Sequence, residues 1–161
     1  MLPPPVRRSA VWAGAPKYTV GAICVIRRRD GAILLVRHSY MDRWGLPGGL
    51  VKRREDPHVA AVRETMEEVH LAVELVGEAR VVVEPQRRRV DVVHLARPAA
   101  GVPLDDVRPS SAEIVETRWF QPDELPDLSP EAATALVALT RDGPLDLAGS
   151  GLTPSSDRLT R

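Results

Sequence analysis

Apolar and polar positions along the chain change their spacing from segment to segment, and each change marks an element. From Thr19 to Arg27 the sequence "TVGAICVIR" is apolar at consecutive positions, and "AILLVRH" from Ala32 to His38 follows the same pattern. Short continuous apolar runs predict strands buried on both faces. Between them, "RRRDG" contains Asp30-Gly31, a pair suited to a type I′ turn with positive φ at both central positions, so the two strands are expected to form a hairpin. "PHVAAVRETMEEV", Pro57 to Val69, shifts to helical spacing, with Asp56 as N-cap and Pro57 at the first helical position, where a missing N–H costs nothing. "LAVELVGEARVVVEP" and "RVDVVHLARP" read as strands joined through the basic turn "QRRR", and "EIVETRWF" from Glu113 to Phe120 as a last strand. "SPEAATALVALTR" begins with a capping Ser129 and carries apolar residues at Ala135, Leu136 and Leu139, which predicts a second helix. Strands, helix, strands, helix is the order of an α+β domain, or a layered α/β/α one.

The first helix carries the chemistry. At about 100° per residue, Glu64, Glu67 and Glu68 fall within one arc of about 100°, with Val59, Val62, Met66 and Val69 on the other side. That wheel predicts an apolar face for the core and a carboxylate face turned away from it. A solvated acidic surface is the simplest account of three glutamates, since like-charge pairs at this spacing cost only a few tenths of a kcal/mol. Ala60 and Ala61, interleaved on the acidic side, argue for more: small residues let another group approach closely, where a solvated face more often carries lysines. Arg63 is the single basic neighbour, at the edge of the arc. Carboxylates ~4 Å apart in a confined site repel by ~4 kcal/mol at an effective dielectric near 20. A cation relieves this, and all-oxygen ligands select hard divalent ions such as Mg²⁺. The constellation points to metal-assisted phosphate chemistry.

Composition narrows the classes. At 161 residues and 43% hydrophobic content the chain is one domain's length. Residues 1–16, with four prolines and no periodicity, read as an extended arm, 17–141 as the domain and 142–161 as a flexible tail. Lys plus Arg equals Asp plus Glu, 22 each, so no net field steers a nucleic acid polymer or an anionic membrane. The lone Cys24 excludes an intrachain disulfide and reads as a small buried apolar residue. With no apolar run near ~18 residues, the expectation is a cytoplasmic protein without a membrane segment.

"GLVKRREDPHVAAVRETMEEVHL", Gly49 to Leu71, resembles the Nudix box: Gly, five residues, Glu, seven residues, Arg-Glu, an apolar residue, any residue, Glu-Glu, any residue, Gly and an apolar residue. Gly49, Glu55, Arg63, Glu64, Glu67, Glu68 and Leu71 stand at its positions. "LPGG" before it and "RWFQPDELP" from Arg118 are similar to segments common in that family, so the resemblance spans roughly Thr19 to Arg141. Thr65 and His70 depart from the box, which has an apolar residue and Gly there. Lys52 and Arg54 stand where many relatives carry Glu and Gly, so Lys52, Arg53 and Arg54 are where substrate preference is sought first.

The resemblance implies a Nudix α/β/α sandwich with a mixed β-sheet and hydrolysis of a nucleoside diphosphate linked to another moiety: a nucleotide sugar, ADP-ribose, a dinucleoside polyphosphate or an oxidised nucleoside triphosphate. It implies Mg²⁺ or Mn²⁺ held by Glu67 and Glu68, with Glu64 as ligand or general base and Gly48 offering its carbonyl. Arg63 would orient the glutamates, Glu55 would support the loop and pair with Arg63, and Glu113 is the candidate for a further carboxylate, Glu116 its reserve. Arg37 and Arg43 are candidates for phosphate contacts and Trp44 for stacking on a base. Relatives are often dimers, so a homodimer is compatible. The alternative is a Nudix domain that binds a nucleotide without turnover. Pro47, Gly48 and Gly49 would then form a loop whose backbone comes close to metal and diphosphate.

Overall fold

The structure, a computed structural model, describes residues 15–140. The expected tail, and the expected arm apart from its last two residues, lie outside them. Seven strands, β1 (Thr19–Ile26), β2 (Ile33–His38), β3 (Trp44–Gly45), β4 (Gly48–Leu50), β5 (Val73–Glu84), β6 (Arg89–Pro98) and β7 (Ile114–Phe120), combine with helices α1 (Pro57–Val69) and α2 (Pro130–Thr140). One sheet has the order β4-β1-β6-β5 and is mixed, since β1 runs parallel to β6 and antiparallel to β4. The other, β3-β2-β7, is antiparallel.

Alternation along β1 divides the core. Ile23 and Val25 pack with Val93, Leu95 and the α2 residues Leu136 and Leu139. Cys24 and Ile26 pack on the other face with Val69 of α1 and with Leu34 and Val36. This is the expected α/β/α layering, and it is why β1 reads as continuously apolar. Leu136 and Leu139 are fully buried, each worth roughly 2 kcal/mol. Cys24 is buried as expected, and burial pushes its thiol up to about 12.

The hairpin expectation is corrected. β1 and β2 lie in different sheets and share a single bridge, Arg27 to Ile33. β1 already pairs with β4 along one edge and β6 along the other, so no edge remains for β2. The turn is also not type I′: the Gly31 N–H donates to the Arg28 carbonyl at 3.1 Å, and Gly31 (φ 92°), not Asp30, takes the left-handed conformation.

The α1 wheel is corrected too. Its start is as expected, the Asp56 carboxylate accepting the His58 N–H at 2.8 Å; at its end His70 closes the helix in the left-handed region (φ 55°, ψ 41°) with its N–H on the Met66 carbonyl. Its buried face, however, is Ala60, Ala61, Thr65, Glu68 and Val69, while Val59 is 59% and Met66 40% exposed. Ala60 and Ala61 pack on Ala22 of β1. The alanines are thus the docking surface: small residues bring the helix axis close to the sheet, and the flanking glutamates are drawn in with it. Thr65 is fully buried, its hydroxyl satisfied by the Ala61 carbonyl at 2.8 Å.

Candidate functional site

The short β3–β4 segment sets one wall of a cavity of about 660 Å³. Its seating on β1 is close: the Cys24 N–H donates to the Pro47 carbonyl at 2.9 Å, and a Cβ at Gly48 (φ 154°) would lie 2.4 Å from the Ala22 carbonyl oxygen. One residue on, a Cβ at Gly49 would lie 2.5 Å from Cδ of Glu64. The glycine pair therefore serves close approach to this protein's own β1 backbone and to the Glu64 carboxylate.

Against this wall α1 presents Glu64 and Glu68, one helical turn apart. Glu68 is 7% exposed and accepts the Gly48 N–H at 3.0 Å. Burial, reinforced by the nearby Glu64, Glu113 and Glu67 charges and opposed by the Gly48 hydrogen bond, pushes its carboxyl up to about 8. Glu113, from the loop ahead of β7, lines the same cavity, as do His38 and Tyr40. His38 is buried with Nδ1 lacking a partner among the described residues; desolvation lowers its pKa and the Glu113 charge acts the other way.

Arg63 ties the box together. It donates from Nε and Nη2 to Glu55, at 2.7 and 2.9 Å, and from Nη1 to Glu64 at 2.6 Å and Glu67 at 3.0 Å. Glu55 in turn accepts the Lys52 N–H at 2.8 Å. The loop and helix expected to cooperate are thus clamped by one guanidinium, with the bidentate geometry that suits arginine to carboxylates. Glu67 is the most exposed of the three box glutamates on α1, with 52% of its side chain in solvent, and its second oxygen is 3.9 Å from Lys52 Nζ.

The expected substrate contacts lie elsewhere. Arg37 donates to Glu116 at 2.9 and 3.1 Å, Arg43 to Asp127 at 3.0 Å, and Trp44 packs edge-on against Phe120; none of the three lines the cavity. Glu116, the reserve carboxylate, is held by Arg37 and Arg118. Of the three basic residues that leave the family pattern, Lys52 lines the cavity and Arg53 and Arg54 do not. Two charged lining residues are not among the candidates that the sequence offers: Glu131 at the start of α2, paired with Arg87, and Arg89, paired with Asp91. The signal for Arg89 was present, since "RVD" places two charges at strand spacing in an otherwise apolar run.

Among the described residues, no three His, Cys, Asp or Glu side chains converge closely enough to form a metal cage unaided. The donor set nonetheless suits a hard divalent cation. Glu68 and its neighbours are crowded carboxylates, and Mg²⁺ takes few protein oxygens, completing its shell with water and substrate phosphate.

A family model described as the NUDIX domain matches residues 17–140. The chain is 31% identical over 131 residues to a MutT-like protein of Streptomyces ambofaciens, covering 80% of this chain and 82% of that one. It is 37% identical over 111 residues to a CMP-5'-(N-acetyl-N-hydroxy-3-aminopropyl)phosphonate hydrolase of Streptomyces rubellomurinus, covering 66% of this chain and 53% of that one, so it spans about half of that relative's length. Among solved structures, a MutT NUDIX hydrolase from Burkholderia pseudomallei superposes with a TM-score of 0.63 at 30% identity, covering 76% of this chain and 98% of that one.

Proposed function

The chain belongs to the Nudix family of hydrolases, and we propose that this member cleaves the diphosphate linkage of a nucleoside diphosphate derivative with the help of Mg²⁺ or Mn²⁺. The observation that carries the reading is the convergence of Glu64, Glu68 and Glu113 with the Gly48–Gly49 backbone on one cavity. The volume, about 660 Å³, falls within the range of small-molecule sites. A nucleotide-linked substrate is also in keeping with the phosphonate hydrolase relative, whose name specifies a CMP derivative.

Glu67, Glu68, Glu64, Glu113 and the Gly48 carbonyl are the oxygens that would hold the metal. When bound, it supplies charge neutralisation on the diphosphate and lowers the pKa of a water nucleophile. The chain's own residues do the positioning. Arg63 fixes Glu64 and Glu67 in register with the loop, so their oxygens need not reorganise as substrate arrives. The Gly48 N–H holds one Glu68 oxygen and leaves the other for the cavity. Glu64, seated against Gly49, is placed either to ligate or to accept the proton of the attacking water. Ile23 and Leu46 provide an apolar floor that limits competing water.

The test is a panel of nucleotide sugars, ADP-ribose, dinucleoside polyphosphates and oxidised nucleoside triphosphates, assayed with Mg²⁺ and Mn²⁺ for release of monophosphate or pyrophosphate. The expected result is turnover of at least one member, lost on chelation and in Glu68→Gln. Nucleotide binding without turnover of any member would instead make this a binding domain.

A further inference from the structure

Arg89 reaches the cavity from the side that the box does not occupy. It opens β6, and in the parallel register of β1 and β6 Gly21 stands beside Asp91. Strand alternation places Gly21, Ile23, Arg89 and Asp91 on the face that α2 covers, whereas Glu64 and Glu68 come from α1 on the other face.

The arginine is built in with care. Asp91 is 3% exposed, and Arg89 Nε donates to both of its oxygens, at 2.8 and 2.9 Å. A buried carboxylate is costly unless paired, and the guanidinium is its side-chain partner. The room for the pair is made by Gly21: a Cβ there would lie 2.1 Å from Asp91 Oδ1 and 2.9 Å from Arg89 Nη2. A central strand has thus given up a side chain to seat a carboxylate whose visible effect is to orient Arg89. With Nε committed, the two Nη nitrogens have no hydrogen-bond acceptor among the described residues. Glu131, the nearby acid of α2, is engaged by Arg87.

We propose that Arg89 is a substrate-binding residue whose Nη groups receive the oxygens of the phosphoryl group lying farther from the box glutamates, with Asp91 and Gly21 positioning it. This rests on the diphosphate-hydrolase reading and adds where the second phosphate sits. Two in-plane N–H donors match two non-bridging phosphoryl oxygens. A substrate bearing two adjacent anionic phosphoryl groups needs positive charge at each end of the cavity; the box side lines it with Glu64, Glu68 and Lys52, and Arg89 is the cation at the other end.

The probe is imidodiphosphate, which is not hydrolysed, measured both as a competitive inhibitor of the best substrate and by calorimetry with Mn²⁺. Arg89→Gln is expected to weaken imidodiphosphate binding and raise KM by about tenfold or more, with a smaller change in kcat. Arg89→Lys should recover part of the loss. Asp91→Asn should raise KM and weaken imidodiphosphate binding while kcat stays near wild type, a split that a purely structural role would not produce. Unchanged imidodiphosphate binding in Arg89→Gln overturns the assignment, and so does a KM penalty that follows the nucleobase and is absent for the probe. If wild type hydrolyses nothing in the panel, the functional reading fails, and calorimetry with the probe still decides the role of Arg89.

Discussion

Arg63 and Glu55 meet through two parallel hydrogen bonds, Nε to Oε1 at 2.7 Å and Nη2 to Oε2 at 2.9 Å, eight residues apart in sequence and across the junction of loop and helix. This contact, followed by the Lys52 N–H, lowers the Glu55 carboxyl from 4.5 to about 2. A carboxylate depressed in the folded state contributes stability above its unfolded pKa and loses it as pH falls through the folded one. Glu55→Gln should therefore melt below wild type at pH 7, with the gap closing between about pH 4.5 and pH 2. Its kcat should fall roughly tenfold, because Arg63 then loses the anchor that holds Glu64 and Glu67. Thermal melts across that pH range, paired with steady-state kinetics, check both.

Glu68 has the opposite sign. Burial raises its carboxyl to about 8, so the folded state binds a proton that the unfolded chain has released above about 4.5. Stability of the metal-free protein should fall as pH rises between these values. Glu68→Gln removes this dependence and should melt above wild type at pH 8, by an amount on the order of a few kcal/mol at most. Mn²⁺ should raise the wild-type melting temperature at pH 8 and leave that of Glu68→Gln nearly unmoved, while activity drops by about 10³-fold. A Glu68→Gln protein less stable than wild type at pH 8 would contradict the account.

Gly48 and Gly49 should fail differently. A Cβ at Gly48 meets backbone, the Ala22 carbonyl at 2.4 Å and the Ile23 Cα at 2.9 Å, in a left-handed conformation besides. Neither neighbour can yield, so Gly48→Ala is expected to destabilise by about 3 kcal/mol in urea unfolding. At Gly49 the obstacle is the end of the Glu64 side chain, 2.5–2.7 Å away. Gly49→Ala should fold with a loss nearer 1 kcal/mol and lose kcat by about tenfold to a hundredfold as Glu64 is displaced.

Arg54 sits at φ 67°, where a side chain is strained, and at a place where the resemblance leads one to expect Gly in many relatives. Arg54→Gly should relieve about 1 kcal/mol of strain against a smaller entropic loss, a net gain near 0.5 kcal/mol by urea unfolding. Arg54 is exposed and outside the cavity lining, so kcat/KM should stay within about twofold. A large change in kcat/KM would show that it reaches substrate after all.

Sequence by itself determined both helices, five of the seven strands among the described residues, their order and the box; β3 and β4 are two- and three-residue strands in a stretch that reads as loop, too short to show a period. Apolar runs, the Asp56–Pro57 start and the spacing of Gly49, Glu55, Arg63, Glu64, Glu67 and Glu68 are local or fixed-interval properties; the Glu55–Arg63 pairing is what the resemblance implies, and the structure has it. What tertiary structure decided is which surfaces meet. Asp30-Gly31 is a good turn sequence, yet β1 gave both edges to β4 and β6, and turn chemistry cannot report how edges are shared. The α1 wheel put Val59 and Met66 inward because hydrophobicity was the only criterion available. The helix docks instead through Ala60 and Ala61, since close approach to β1 brings Glu64 and Glu68 to the glycine loop. Arg37, Arg43 and Trp44 looked free in sequence because their partners, Glu116, Asp127 and Phe120, are about eighty residues away. Arg89 looked like part of a basic turn because Gly21, the residue that makes room for its orienting Asp91, lies on another strand.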